Sequence, residues 1–274
     1  MKEMLKQKIE NWKNLPQPSS SASACLEYEE LESSKLLPPQ LLTSIKRQDL
    51  FSLFWEIEKM IEEEGVHISV IANQSSRAGN TMLHIAAMYE RQDILEVICE
   101  HFPHLMKKQN IKGDTVVHII GRNAGKKNVM MRSVIEWYER HLEDDEEDNK
   151  VWRMENIHGN TALHEAVMAC NVEGVKMLYR EDGGVTHLMN KEGKSALYLG
   201  VETGNYDIIN VLMEAPFFNR RIHQGTSPLH AAIFARSSGE ITKYSVSQPL
   251  VKSWLVDTVK EQAERGEFGE DPSK

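Results

Sequence analysis

A nine-residue phrase limits what this chain can fold into more than any other feature. It reads Gly159-Asn160-Thr161-Ala162-Leu163-His164-Glu165-Ala166-Val167. Glycine enters the left-handed backbone region at no steric cost, which suits a tight turn. Thr161 stands where a hydroxyl caps a helix start. Leu163, Ala166 and Val167 fall on one face at helical spacing. His164 is placed to bond its own turn with one ring nitrogen and a neighbouring turn with the other. The phrase returns with Gly79, Thr81 and His84, with Gly113, Thr115 and His118, and with Gly225, Ser227 and His230. A degraded copy begins at Gly193, with Ser195 and Tyr198 in place of threonine and histidine. Successive glycines are 34, 46, 34 and 32 residues apart. A unit returning at a near-constant interval predicts helical hairpins stacked in a row, each touching only its neighbours.

A period of about 33 residues carrying this phrase resembles the ankyrin-repeat family, over roughly residues 38–240. The resemblance implies an all-α solenoid of helix-turn-helix units with β-turn or hairpin tips. Its implied function is protein binding without catalysis.

The rest of the chain reads around that array. Residues 1–37 form an N-terminal helix and a linker. Leu5, Ile9 and Trp12 share one helical face, flanked by Lys2, Lys6, Lys8 and Lys13. One reading is a surface-seeking amphipathic anchor. The other is a terminal helix that frays or docks back on the repeats, since Glu3 and Glu10 oppose an anionic surface. Pro16 to Ala24 is a linker by composition. Residues 38–70 predict a capping helix pair. Pro38-Pro39 opens it, Leu41, Leu42 and Ile45 line one helix, and Leu50, Leu53, Phe54, Ile57 and Ile61 line the next. Gln48-Asp49 separates the two.

Second helices are expected near Asp93–His101, Val129–Leu142 and Val172–Tyr179, and around Ile208–Leu212. Gly121 stands where the pattern asks for alanine, which marks the second repeat as looser. The acidic run Glu143 to Asp148 accounts for the long 46-residue step, and residues 143–149 are expected to form a solvated insertion. Residues 241–274 read as a closing helix, about Leu250 to Ala263, and an acidic disordered tail.

Composition narrows the function. The chain has 32 basic and 41 acidic residues and a net charge of -9, against sequence-independent nucleic-acid binding. Three widely spaced cysteines give no disulfide framework. No run of eighteen apolar residues is present, so no membrane span is expected. The N-terminus lacks a secretory apolar core. These features predict a cytoplasmic protein, with the cytosolic face of the plasma membrane as the alternative.

No catalytic, cofactor or metal site is expected. Gly121 to Lys127 is one residue short of a phosphate loop, and no strand precedes it. His101 and His104 lack further metal ligands and read as surface histidines. The acidic run lacks the glycine and alternating oxygen ligands of a calcium loop. Histidines 84, 118, 164 and 230 recur at the structural period, which marks scaffold, since a catalytic histidine is needed once. A nucleotide binder or an enzyme without a recognisable motif stays as a remote alternative.

Binding is left, and its positions flank each glycine and end each first helix. The strongest candidates are Arg77, Asn80, Met88, Tyr89, Lys112, Arg122, His158, Met168, Lys191, Glu202, His223 and Phe234. Around them lie Ala78, Ile111, Asp114, Asn123, Ile157, Asn160, Ala169, Glu192, Lys194, Thr203, Gln224 and Ala235, with Arg220 and Arg221 nearby. Met88, Tyr89, Met168 and Phe234 are the apolar members, as interface cores prefer.

The leading helix pair, the Gly-Asn-Thr-x-Leu-His repeats and the connection Cys99-Glu-His-Phe-Pro-His-Leu105 are similar to plant ankyrin proteins of the accelerated-cell-death type. That resemblance implies a scaffold in defence or stress signalling whose partner is another protein. Such proteins usually continue into a membrane domain. The resemblance therefore leaves a soluble paralogue, or the cytosolic regulatory part of a membrane signalling protein, as alternatives, with peripheral or family-type membrane association.

Overall fold

The computed structural model describes residues 2–15, 36–123, 129–142 and 150–213. Within them run α1 (Lys2–Lys13), α2 (Pro39–Arg47), α3 (Leu50–Glu62) and α4 (Ile68–Asn73). Then follow α5 (Met82–Met88), α6 (Gln92–His101), α7 (Val116–Arg122) and α8 (Val129–Leu142). The last are α9 (Ala162–Met168), α10 (Val172–Glu181), α11 (Ala196–Thr203) and α12 (Tyr206–Met213). Short 3-10 helices, Pro103–Lys107 and Gly183–His187, follow α6 and α10. The expected linker, the acidic run 143–149, the fifth repeat and the closing helix lie outside the described residues.

The helices stack in two rows. α2, α5, α7, α9 and α11 pack side by side as an inner row. α6, α8, α10 and α12 pack behind them as an outer row. Inner helices are short and apolar on nearly every side. From Met82 to Ala87, from Val116 to Gly121 and from Ala162 to Val167, every residue is buried. Outer helices bury one stripe: Ile94, Leu95, Val97 and Ile98 on α6, and Val134, Ile135 and Tyr138 on α8. Met131 is wholly buried on α8 too, beside the half-buried Met130 and Trp137.

The turn between inner and outer helix needs one left-handed residue. Gln48, Glu90, Cys170 and Gly204 fill it, with φ of 59°, 56°, 54° and 65°. This reverses the chain in two or three residues. Carbonyls orphaned at the inner helix ends are then satisfied from the next repeat. Arg91 donates to Lys46 O at 3.0 and 2.6 Å, and Asn123 Nδ2 to Ala87 O at 3.1 Å. Asn171 Nδ2 donates to both Gly121 O and Asn123 O at 3.1 Å.

Gly121 overturns the expectation of a loose second repeat. A Cβ there would stand 2.9 Å from Ala162 O and close to Ala166. Glycine therefore lets α7 and α9 approach more closely than alanine would.

The cap holds one helix more than its pattern showed. α4 follows the expected pair, with His67 Nδ1 accepting from Ser69 N at 3.2 Å and Ile68, Ile71 and Ala72 buried. α1 docks across the cap, as in the second of its two readings. Ile9 and Trp12 are buried, and Trp12 stacks on Phe54 with centroids 6.4 Å apart. Lys8 pairs with Glu58 of α3, and Lys6 with Glu100 of α6 at 2.8 Å. α1 thus bridges α3 and α6. His101 corrects the reading as a surface histidine: it is buried at the end of α6, with Nδ1 donating to Glu10 of α1 at 3.0 Å. Burial lowers its pKa, although Glu10 works against this.

Candidate functional site

The site grows from four hairpin tips. Each closes on a glycine with positive φ: Gly79 (72°), Gly113 (70°), Gly159 (71°) and Gly193 (72°). A Cβ on Gly113 or Gly159 would also stand within 3 Å of the next tip's backbone. Asparagine shapes three of the turns. Asn110 Oδ1 accepts from Lys112 N and Asp114 N at 2.9 and 3.0 Å. Asn156 and Asn190 repeat that geometry at their own tips. Such side-chain acceptance is what makes asparagine a turn residue.

Neighbouring tips are joined in two ways. One is a backbone bond per step: Ile111 N to Ala78 O at 3.1 Å, Ile157 N to Lys112 O at 2.9 Å, and Lys191 N to His158 O at 3.0 Å. The other is the imidazole ladder. In α5, α7 and α9 threonine and histidine form a capping box. Histidine Nδ1 accepts from the threonine hydroxyl at 2.8, 2.8 and 2.9 Å. Nε2 donates to the next tip: His84 to Asp114 O, His118 to Asn160 O and His164 to Lys194 O, at 3.0, 3.0 and 3.1 Å. Burial lowers the pKa of all three, His164 to about 4. They are neutral at physiological pH, as an Nδ1 acceptor requires. At the fourth tip, Ser195 Oγ accepts from Tyr198 N at 3.3 Å.

Over tips two to four the inner helices and hairpins enclose an open groove of about 700 Å³. Its floor is an ionic cluster. Arg122 bonds Asp114 through both terminal nitrogens at 3.2 and 3.1 Å, and Glu165 through Nε at 2.9 Å. Asn156 Nδ2 reaches Asp114 at 3.1 Å and Glu165 at 2.8 Å. Asn160 donates to Glu165 at 3.1 Å, and Asn190 to Asn160 Oδ1 at 2.9 Å. Burial pushes the two carboxyl pKa values up, but the bonds from Arg122 and the asparagines outweigh it and hold both below the usual range. On the far wall Lys194 pairs with Glu192 and Glu202, both at 3.1 Å. Met168, 42% exposed, and the buried Leu199 supply the apolar lining.

Of the sequence candidates, the groove gathers Lys112, Arg122, His158, Met168 and Glu202, with Asp114, Asn160, Glu192, Lys194 and Thr203. Arg77 and Lys191 stand exposed on the tip row, outside the groove lining. Asn80 takes the tip bond from Asn110 at 2.8 Å. Met88 and Tyr89 are exposed at the end of α5, where Lys46 lies 5.2 Å from the Tyr89 ring. His223 and Phe234 lie outside the described residues. Asn156, Glu165, Asn190 and Leu199 also line the groove and were not singled out from sequence. The recurrence of asparagine three residues before Gly113, Gly159 and Gly193 was the available signal for Asn156 and Asn190.

Residues 158–191 match the family model described as the ankyrin repeat. The fold is that of an ankyrin-repeat array. A solved structure, the ankyrin repeat domain of Bcl-3, a member of the IkappaB family, superposes with a TM-score of 0.56 at 18% identity. The match covers 84% of this chain and 86% of that one, and bears on the fold alone. Among curated proteins the array is similar to Protein ACCELERATED CELL DEATH 6 of Arabidopsis thaliana, 25% identical over 231 residues. That is 73% of this chain and 34% of the relative. It is also similar to the transient receptor potential cation channel subfamily A member 1 of Drosophila melanogaster, 24% identical over 181 residues. This second match covers 64% of the chain and 15% of the channel. The chain thus spans about a third of the first relative and less of the second. Among the described residues no helix is long and apolar enough to cross a membrane.

Proposed function

We propose that the array is a non-enzymatic scaffold that holds a segment of another protein in the groove over α7, α9 and α11. The groove itself carries this reading. It is open, about 700 Å³ in volume, and combines apolar lining from Met168 and Leu199 with ionic side chains already fixed by their partners. Prearranged polar groups around an apolar patch lose little freedom when a partner binds. The ankyrin repeat is in general an interaction module, which supports the same conclusion. The similarity to ACCELERATED CELL DEATH 6 supports a place in plant defence or stress signalling, and a cytoplasmic setting fits that role.

The test is affinity capture with the full chain and with a Met88→Ser/Met168→Ser variant, followed by identification of what each retains. Both methionines are exposed, so the fold survives the change. A specific partner should be retained several-fold less by the variant. Equal capture of every partner by both proteins sinks the reading.

A second reading is favoured by both curated relatives being much longer than the matched region, one of them a cation channel by name. On this reading the array is the cytosolic regulatory part of a membrane signalling protein. Sequencing the full-length transcript tests it. Apolar runs of about eighteen residues or more on either side support it, and their absence ends it.

A further inference from the structure

We infer that the segment bound at the hairpin side is acidic and apolar, its carboxylates meeting a row of cations along the tips while its apolar side chains cover Ile111 and Ile157. This rests on the groove reading and adds the chemistry of the partner. The backbone bonds between tips place equivalent residues in line: Arg77, Ile111, Ile157 and Lys191 stand two before the glycines, and Lys112 and His158 one before. The two central isoleucines are 66% and 49% exposed, although nothing in the repeat requires an apolar residue there. Cations close both ends of the line.

The state of the charges separates tips from floor. On the floor Arg122 is matched by Asp114 and Glu165, and Lys194 by Glu192 and Glu202. At the tips Arg77, Lys112 and Lys191 make no ion pair among the described residues. Lys191 Nζ donates only to the Ile157 carbonyl at 2.8 Å. Glu192 is the acid of the row, and Lys194 holds it. A chain of net charge -9 thus presents uncompensated positive charge around an exposed apolar pair. Desolvated apolar contact flanked by complementary charge gives both affinity and orientation to a bound segment. A nucleic-acid backbone shares the negative charge but has no use for the isoleucines.

The experiment uses fluorescence anisotropy on the full chain with three labelled probes. They are a short Glu/Leu peptide, the same peptide with Lys for Glu, and a single-stranded RNA of similar length. The variants are Lys112→Glu/Lys191→Glu and Ile111→Ser/Ile157→Ser, all at exposed positions, with Met168→Ser as the groove variant. The Glu/Leu peptide should bind, weaken as salt rises, and lose roughly tenfold or more in affinity on charge reversal. The isoleucine variant should weaken it as well. Binding of the Lys/Leu peptide as tight as that of the Glu/Leu peptide overturns the inference. So does tighter binding of the RNA, or no binding of any probe. If the inference fails while Met168→Ser still reduces capture of an identified partner, the groove reading stands. If neither responds, both fall.

Discussion

Along the hairpin edge one device recurs three times. An imidazole buried at the start of an inner helix joins its own threonine to the next tip, at 3.0, 3.0 and 3.1 Å. Along the outer edge each step is solved differently. α1 bridges α3 and α6 through Trp12, Lys6 and Lys8. α8 runs fourteen residues where α12 runs eight. Arg153 pairs with Asp182 of the loop after α10, with a second bond of 2.9 Å from Nη2. The difference teaches where a stacked array is constrained. Tips touch through backbone and must match in register, whereas outer helices touch through side chains, which tolerate many solutions.

This contrast predicts global effects on one edge and local effects on the other. The largest is expected for His118→Ala. It strips the Thr115 capping box and removes one of two donors to the buried Asn160 carbonyl, leaving only Asn156 N. A loss of about 3 kcal/mol should appear in equilibrium denaturant unfolding, and a loss below about 1 kcal/mol would break the comparison.

Acid should act through the same ladder. Burial depresses the histidine pKa values in the folded state, so the unfolded chain takes up protons first. Their stabilisation is complete above the unfolded value near 6.5 and is lost as pH falls through the folded values, about 4 for His164. Unfolding free energy measured from pH 7 to pH 4 should fall across this window, by up to about 3 kcal/mol for a shift of that size. Replacing His164 by asparagine should flatten the slope.

Trp12→Ala tests the outer edge. It removes the stack on Phe54 and should cost about 2 kcal/mol, below the usual range for a fully enclosed aromatic because the helix can detach. Hydrogen exchange should quicken in α1 and α6 and stay unchanged in α7 and α9. Faster exchange throughout would show that the edges are coupled.

Two glycines sharpen the point most finely. Gly113→Ala meets backbone at 2.9 Å and should cost about 2–3 kcal/mol, whereas Gly204→Ala, at similar φ but with open space around it, should cost about 1 kcal/mol. Equal losses in thermal or chemical melts would show that backbone strain alone, and not contact between tips, sets the requirement.

The hairpin edge was legible because its demands are local. Gly79, Gly113, Gly159 and Gly193 need a positive φ, and threonine with histidine three residues on closes a cap. Gly121 shows the limit of that reading. Within its own repeat it is a weak helix residue, and its reason lies in Ala162 of the next. Glu165 shows it again: one acid among many in sequence, it becomes the hub of the groove floor when Arg122 of α7 and Asn156 and Asn160 of the third tip converge on it.

The sequence alone determined the repeat, its period and the helical hairpin, because each follows from bonds between residues a few positions apart. Only the tertiary structure decided that α1 docks, that His101 is buried against Glu10, and which side chains share the groove. Those outcomes depend on surfaces that meet across 43 residues of chain in the pair Arg122–Glu165 and 91 in the pair His101–Glu10. An amphipathic pattern records that a face must be covered, but it holds no record of what covers it.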